Sequence, residues 1–392
     1  MIVYDKKWLE NLILQEQADS LLKGGFINKD QKRLIEKELP SFKIHYNILI
    51  RIGFFLLGVL LYFSIGGAIS LFGYNISLSG YLDVCCYIFS FVGLVGSEFF
   101  ARNNYYRHGL DEAFIFGTIL NAGIAVAIST HGDNLAVSIV VTIVSLILYL
   151  RYLHLLSVLI FYLALTLTVG YIIIDFREAV KAILPFFMIF FSIGTYYFCR
   201  NLINNLTETF YHNGILLVKS ISLMLLYLSG NYFVVREFSA FLIENYYYEE
   251  SPEIPFAWFF WCFTFLVPVF YLFYALKNKQ RVLLWIGLLC LCFSFYTFRS
   301  YHHVLPPEVA LTLGGLILFV IAFVSIKKLK NKESGLTFKP DRILNSNTFL
   351  NAEALIIAST FGMKPEVKST ESPMEFGGGG FSGGGSGGSF NN

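Results

Sequence analysis

The chain has 392 residues, of which 56% are apolar and 14% are charged, and its net charge is +2. A soluble domain carries about 25% charged residues, so this composition excludes a water-soluble enzyme or binding domain, and the small net charge predicts no nucleic-acid partner. The mean hydropathy of +0.61 and the clustering of apolar residues predict an all-α polytopic membrane protein, whose immediate partner is the lipid bilayer.

Residues 1–46 form the only strongly charged stretch, with eight basic and seven acidic residues. Apolar residues recur there at helical spacing and predict a first helix, which Gly24 and Gly25 end. Asn28 is a suitable N-cap for a second helix, which Pro40 ends. The sequence therefore predicts a helical hairpin that is too small to fold alone. Its apolar residues are Trp8, Leu9, Leu12, Ile13, Leu21, Leu22, Leu34, Ile35 and Leu39.

Two interpretations of this hairpin stay open. In the first, it packs on the chain's own helices or on the membrane and fixes their orientation. In the second, it docks a partner protein, with Trp8 and Leu12 among the contacts.

The hairpin resembles the amino-terminal segment of uncharacterised bacterial polytopic inner-membrane proteins that share a domain of unknown function. In them a tryptophan, a Gly-Phe-Ile-Asn motif, a glutamine and an isoleucine precede a bundle of eight or more spans. The resemblance implies the same membrane location, and it brings no activity and no site residue. The matching residues are Trp8, Leu22, Gly25, Phe26, Ile27, Asn28, Gln31 and Ile35.

Residues 47–332 are predicted to form a membrane domain. A bilayer core about 30 Å thick requires roughly 17–25 apolar residues in a helix, and we find about ten runs of this kind. The predicted spans are 48–72, 80–99, 113–130, 135–150, 153–174, 182–199, 215–235, 256–276, 282–298 and 309–326.

Basic residues in the connections predict the orientation of these spans. The terminal segments and the connections on their side hold nineteen Lys and Arg residues, whereas the connections on the opposite side hold four. Because cytoplasmic segments carry the excess of Lys and Arg, we expect both termini in the cytoplasm and the protein in a bacterial inner membrane.

Charged residues inside spans are the default candidates for function, because each costs a few kcal/mol at the bilayer centre. Arg51 and Glu98 lie near span ends, where snorkelling to the interface explains them. Asp83 and Lys219 lie deeper, and we expect each to be a buried polar residue paired with a specific partner. Because no charge falls at the centre of a predicted span, an ion-coupled transporter is disfavoured.

Uncharged polar residues also occur at depth, and we expect them to make interhelical hydrogen bonds. The six cysteines lie in or beside spans, where we interpret them as small apolar residues, so we expect no metal and no cofactor. The deep polar residues are Thr118, Asn121, Ser222, Ser229, Ser294 and Thr297.

A cluster of residues that could bind a ligand or catalyse a reaction lies on the predicted periplasmic side, around the connection between the last two spans. Adjacent histidines near a carboxylate and an arginine fit a loop held by hydrogen bonds, a site for a ligand or lipid headgroup, or an acid–base site. We expect binding rather than catalysis and name no catalytic residue. The longest connection on this side is 236–255. The cluster consists of Arg299, His302, His303, Pro306, Pro307 and Glu308.

The carboxy-terminal part is polar again. Residues 333–375 are predicted to be cytoplasmic and to contain a helix over 347–361. Residues 376–392 form a glycine-rich tail, which is similar to the tails of some TPM-domain membrane proteins, and we expect it to be a flexible coil. The tail is a spacer or a peptide offered to a partner, with Phe376, Phe381 and Phe390 as contacts.

No nucleotide-binding, metalloprotease or serine-hydrolase motif occurs in the sequence, so no motif selects among the possible functions. Three functions stay open. The two soluble ends favour a non-catalytic membrane scaffold or accessory subunit, which docks partners through them. The number of spans favours a transporter or a lipid-handling protein. An intramembrane transferase would use the region from His302 to Glu308.

Overall fold

A computed structural model describes most of the chain as far as residue 302. The described residues up to His302 belong to one compact unit, and five single residues beyond it belong to a second unit. The described residues are 2–23, 26–73, 81–176, 183–206, 209–242, 253–278 and 280–302, with Thr312, Leu316, Phe319, Phe323 and Lys327.

Regular structure in the described ranges up to residue 302 is helical, apart from an isolated bridge between Lys43 and Tyr105 and a 3-10 turn over Thr209–Tyr211. The prediction of an all-α protein is therefore confirmed. The helices are α1 Lys6–Lys23, α2 Lys29–Glu38, α3 Ile48–Gly73, α4 Tyr81–Arg102, α5 Leu110–Ser129, α6 Asn134–Tyr152, α7 Leu155–Phe176, α8 Leu184–Asn205, α9 His212–Gly230, α10 Tyr232–Leu242, α11 Ala257–Lys277 and α12 Arg281–Tyr301.

Nine of these helices, α3–α9, α11 and α12, are long and apolar enough to cross a bilayer, as in an integral membrane protein. They correspond to the first nine predicted spans. The tenth, 309–326, falls outside the described residues except for four isolated positions. Helix α5 begins at Leu110, three residues before the approximate start of the third predicted span, and so includes Asp111 and Glu112.

The seventh predicted span also ends in the wrong place. It was expected to run to residue 235 and to be followed by a loop from 236, but α9 ends at Gly230 and α10 continues to Leu242. The break occurs because the Asn231 side chain accepts hydrogen bonds from the backbone N–H groups of Phe233 at 3.0 Å and Val234 at 3.3 Å. It thereby caps α10.

The same asparagine joins α9 to α12. Its Nδ2 donates to the hydroxyl of Tyr227 at 2.9 Å and to Oγ1 of Thr297 at 3.0 Å. Tyr227 and Ser294 share a further hydrogen bond of 2.8 Å. The expected interhelical hydrogen bonds are thus confirmed for Ser294 and Thr297.

The other deep polar residues divide into two groups. Asn121 in α5 donates to the hydroxyl of Tyr62 in α3 at 3.1 Å, so its interhelical bond is confirmed. The side-chain hydroxyls of Thr118, Ser222 and Ser229 instead donate to carbonyls of their own helices, and for these three the expectation is wrong. A hydroxyl three or four residues after a backbone carbonyl can donate to that carbonyl without a partner on another helix.

The closest packing is between helices that follow each other in the chain: α4 with α5, α8 with α9, and α6 with α7. Glycine permits the closest of these approaches, because a Cβ at Gly93 in α4 would overlap the hydroxyl of Thr118 in α5.

The predicted amino-terminal hairpin is present as α1 and α2. Asn28 caps α2 as expected: its Oδ1 accepts from the backbone N–H of Gln31 at 2.7 Å, and the Gln31 side chain accepts from the Asn28 N–H at 2.9 Å. Asn11 in α1 donates to the carbonyl of Pro40 at 2.9 Å, which closes the hairpin. Gly24 and Gly25 lie outside the described residues.

Candidate functional site at the hairpin face

One end of the helical bundle carries the hairpin, and we call it the hairpin face. It is formed by the first turns of α3, α5 and α7, the last turns of α4 and α6, and the connections between them. Charged side chains converge there from four different helices.

The first ion pair of this face joins α3 to α5. Arg51 is the fourth residue of α3. It donates through Nε to Glu112 Oε2 at 2.7 Å and through Nη2 to Glu112 Oε1. Glu112 is buried, whereas about a third of the Arg51 side chain is exposed. A bidentate guanidinium–carboxylate pair fixes both distance and angle, so it sets how α3 meets α5.

The second ion pair joins α4 to α6. Arg151 donates to both carboxylate oxygens of Glu98, through Nη2 to Oε1 at 2.7 Å and through Nε to Oε2 at 2.9 Å. Arg102 and the hydroxyl of Tyr152 add bonds of 3.1 Å each to the same carboxylate. Arg51 and Glu98, which the sequence places near span ends, thus also have specific partners in other helices, and the sequence did not predict these partners.

The hairpin lies directly on this framework. The backbone N–H of Val3 donates to the carbonyl of Arg151 at 3.1 Å, and Lys43 N–H donates to the carbonyl of Asn104 at 2.9 Å. Leu12 is buried at 5% exposure, in a core that also contains Tyr152 of α6 and Ile115 of α5.

The two predicted docking residues of the hairpin are thus used by the chain itself. Leu12 is buried, and Trp8 is half-buried, its ring centre 5.5 Å from that of Phe42. This packing favours the first interpretation of α1, an element that fixes orientation.

A cavity of about 220 Å³ opens beside the Arg51–Glu112 pair. Its walls come from the start of α3, the connection that precedes α5, the first turns of α5, and the α6–α7 connection. Two arginines, two acidic residues and a histidine give the lining a formal charge near zero. The lining residues are Arg51, Phe55, Tyr106, Arg107, Asp111, Glu112, Ile115, Tyr152, Leu153, His154, Leu155 and Leu156.

Unusual backbone conformations hold both connections that line the cavity. Arg107 has φ 51° and Gly109 has φ 108° in the α4–α5 connection, and Leu153 has φ 54° in the α6–α7 connection. Residues other than glycine adopt such angles at a cost of about 1–3 kcal/mol, and they cluster at functional sites. Asp111 stabilises the α4–α5 connection, because its Oδ1 accepts hydrogen bonds from the backbone N–H groups of His108 at 3.1 Å and Gly109 at 3.0 Å.

His154 is a buried neutral group in the cavity wall. Burial, together with the positive charges of Arg51 and Arg107, lowers the pKa of His154 to about 3. Glu112 Oε1 is 3.9 Å from His154 Nε2, but its charge is already neutralised by Arg51. The other ring nitrogen, Nδ1, lies 2.8 Å from the hydroxyl of Ser157.

A second pair of histidines lies in the same face. The ring centres of His45 and His108 are 4.1 Å apart, and His45 Nε2 and His108 Nδ1 are buried without a hydrogen-bond partner. Burial and the neighbouring His45 lower the pKa of His108. Among the described residues no group of three or more His, Cys, Asp or Glu side chains is arranged to hold a metal ion.

The predicted periplasmic cluster is described only in part. Arg299 and His302 are exposed, at the end of α12 and just after it, and the His302 ring centre lies 4.9 Å from that of Phe298. His303, Glu308 and the two prolines between them lie outside the described residues. The helix predicted over 347–361 and the tail with Phe376, Phe381 and Phe390 lie outside them too.

Asp83 and Lys219 have separate neighbours. Asp83, at the start of α4, lies 3.5 Å from the Ser129 hydroxyl, and Lys219 Nζ lies 5.4 Å from the ring centre of Tyr196. Both residues are half-buried.

Sequence reasoning missed four residues of the cavity: Arg107, Asp111, Glu112 and His154. The acidic pair was placed just outside the third span, and Arg107 was counted only as a topological charge. One signal was present, because Asp111 and Glu112 precede a long apolar run, where acidic side chains favour a helix start.

No family model, no curated protein and no solved structure matches the chain.

Proposed function

We propose that the chain is a non-catalytic scaffold or accessory subunit of a membrane assembly, which docks a partner protein on α2. The observation that carries this proposal is the contrast between the two hairpin helices. Helix α1 is embedded in the core, whereas α2 has no buried residue, and Leu34 and the preceding Phe26 are 60% and 77% exposed.

The charge of α2 favours a protein as the partner. Its ten residues include four basic and three acidic side chains. A helix that binds anionic lipid carries a predominantly basic polar face, and α2 does not. Exposed apolar side chains inside a ring of mixed charge are typical of a protein interface.

The ion pairs beneath the hairpin support the same function. Glu98 and Glu112 are each held by an arginine of another helix, which fixes the helix ends on which α1 rests. A helix presented on a fixed support loses little entropy when a partner binds it.

The proposed location is a bacterial inner membrane with the hairpin face in the cytoplasm, in agreement with the excess of Lys and Arg on that side. The test uses single cysteines in a background whose six native cysteines are replaced by alanine. A membrane-impermeant maleimide should label His131→Cys in spheroplasts, and Asn278→Cys only after lysis; both positions are exposed. The reverse pattern overturns the orientation.

The docking proposal is tested by affinity purification of the full chain in a mild detergent. A partner should co-purify in stoichiometric amount, and the double variant Phe26→Ser, Leu34→Ser should lose it. The matched control, Lys29→Ser with Glu38→Ser, changes two exposed polar residues of the same segment and should retain it. A partner that stays on the apolar variant contradicts α2 as the surface, and the lack of any stoichiometric partner overturns the scaffold function.

A further inference from the structure

The cavity of the hairpin face lies at one end of the membrane-spanning helices. Its lining residues come from the connections and from the helix ends next to them, and Phe55 in α3 is the farthest from a helix end. In helices that just span the hydrocarbon core, the helix ends and the connections lie at the boundary with the headgroups. This position brings the cavity within reach of lipid phosphate groups.

Arg107 is an arginine of the cavity wall that makes no ion pair with another described residue. Arg51, Arg102 and Arg151 each contact a carboxylate, but within the described part of the chain no carboxylate oxygen lies within 4.0 Å of the Arg107 guanidinium. Its close contact is the ring of Tyr106, 5.1 Å from Cζ. Glu16 of α1 acts on it only through a longer-range field.

Tyr106 and Glu16 raise the pKa of Arg107 against the opposing effect of burial, so its guanidinium stays charged, but neither supplies the paired carboxylate contact that Arg51 and Arg151 have. Arg107 also has a left-handed φ of 51°, a strained conformation for a residue other than glycine. An anion that enters the cavity would give the guanidinium the paired contact that it lacks.

The remaining lining limits the charge of that anion. Asp111 and Glu112 are occupied by backbone N–H groups and by Arg51, and they keep the total formal charge near zero. A multiply charged phosphate monoester would meet two carboxylates. A phosphodiester carries one negative charge and two free oxygens, which match the paired N–H donors of a guanidinium.

The sides of the cavity fit a lipid rather than a soluble ester. Leu156 of α7 forms part of the wall and is 37% exposed, and Ile52, next to Arg51 in α3, is 49% exposed. Apolar side chains at these two positions provide a surface for acyl chains next to the polar cavity.

We propose that this cavity binds the phosphodiester group of a phospholipid, with Arg107 as its principal ligand and the His154 ring in its wall. The site is separate from the α2 surface, so it does not depend on the proposed partner, and its failure would leave the scaffold proposal unaffected.

The test is native mass spectrometry of the full chain in detergent, titrated with phosphatidylglycerol. Wild type should retain one lipid more tightly than the rest, and Arg107→Gln should weaken that binding about tenfold or more. Arg33→Gln, which removes an exposed arginine of α2, should not change it. If Arg107→Gln fails to fold, Arg107→Lys keeps the charge but loses the two-pronged geometry, and it should weaken binding several-fold.

Two further ligands separate the possible sources of the phosphodiester. Diacylglycerol, which has the chains without the phosphate, should not compete, and dimethyl phosphate, which has the phosphate without the chains, should compete only weakly. Equal binding of dimethyl phosphate would overturn the lipid as source, and equal binding of diacylglycerol would overturn the role of the phosphate. Unchanged lipid binding in both Arg107 variants would overturn the site.

Discussion

Arg51 in α3 and Glu112 in α5, which are 61 positions apart in the sequence, meet in a two-pronged ion pair at the hairpin face. The contact joins two membrane helices at their ends, and it leaves the carboxylate buried and the guanidinium partly in contact with solvent. Removing either partner leaves the other without its main hydrogen bonds.

We expect Glu112→Gln to destabilise the protein by about 2 kcal/mol, because it removes charge-assisted hydrogen bonds from a partly desolvated arginine. The double variant Arg51→Met, Glu112→Gln should cost less than the sum of the two single changes, since the loss is shared. Apparent Tm in detergent is the measurement.

The matched control is an exposed pair on α2, Arg33 with Asp30 at 3.7 Å. Arg33→Met should change stability by less than about 0.5 kcal/mol, because exposed pairs contribute little. Strict additivity of the Arg51 and Glu112 substitutions would show that the two side chains are not energetically coupled.

Stability should fall in acid because of His154. In the unfolded chain a histidine has a pKa near 6.5, whereas burial and two guanidinium groups lower the pKa of His154 to about 3 in the folded protein. Between these values the unfolded state takes up a proton that the folded state does not. The contribution of the neutral His154 ring to the free energy of unfolding is therefore complete above pH 6.5. It is lost as the pH falls, with a slope of up to about 1.4 kcal/mol per pH unit.

The measurement is apparent Tm against pH from 7.5 to 4.5 for wild type and His154→Gln. The two curves should converge as the pH falls, because the variant lacks the buried neutral ring. His212→Gln, at an exposed position at the start of α9, should leave the slope of wild type intact. Parallel curves for wild type and His154→Gln would contradict the low pKa.

The sequence predicts the parts of this structure that depend on local patterns. Nine apolar runs became helices, and Asn28 became the N-cap of α2, because both effects act within a few residues. The pairing of Arg51 with Glu112 depends on tertiary contact, so span counting found the arginine and not its partner. The break at Asn231 lies between these cases. Gly230-Asn231 is a turn signal, but the apolar residues on either side make the segment resemble one continuous span.

Asn231 should be the most sensitive polar residue in the second half of the bundle. Asn231→Leu removes the cap of α10 and the bonds from Asn231 to Tyr227 and Thr297, so we expect a loss of about 2–3 kcal/mol. Ser229→Ala, two residues away, removes only a bond within α9 and should cost less than about 0.5 kcal/mol. A comparable apparent Tm for the two variants would mean that the network does not stabilise the break.

The last prediction separates packing from docking within the hairpin by making the same substitution on each helix. Leu12→Ala should cost about 3 kcal/mol, because Leu12 is buried between α1 and the membrane helices and its removal leaves a cavity. Leu34→Ala should change stability by less than about 0.5 kcal/mol, because Leu34 is exposed on α2. Apparent Tm and partner retention are read on the same samples.

The two variants should then have opposite effects on Tm and on partner retention. Leu12→Ala should lower Tm yet keep the partner at temperatures where the chain stays folded, since it leaves the surface of α2 unchanged. Leu34→Ala should leave Tm unchanged and weaken the binding of the partner. If Leu34→Ala lowered Tm as much as Leu12→Ala, α2 would be packed within the chain, and its exposed leucine would no longer support a docking surface.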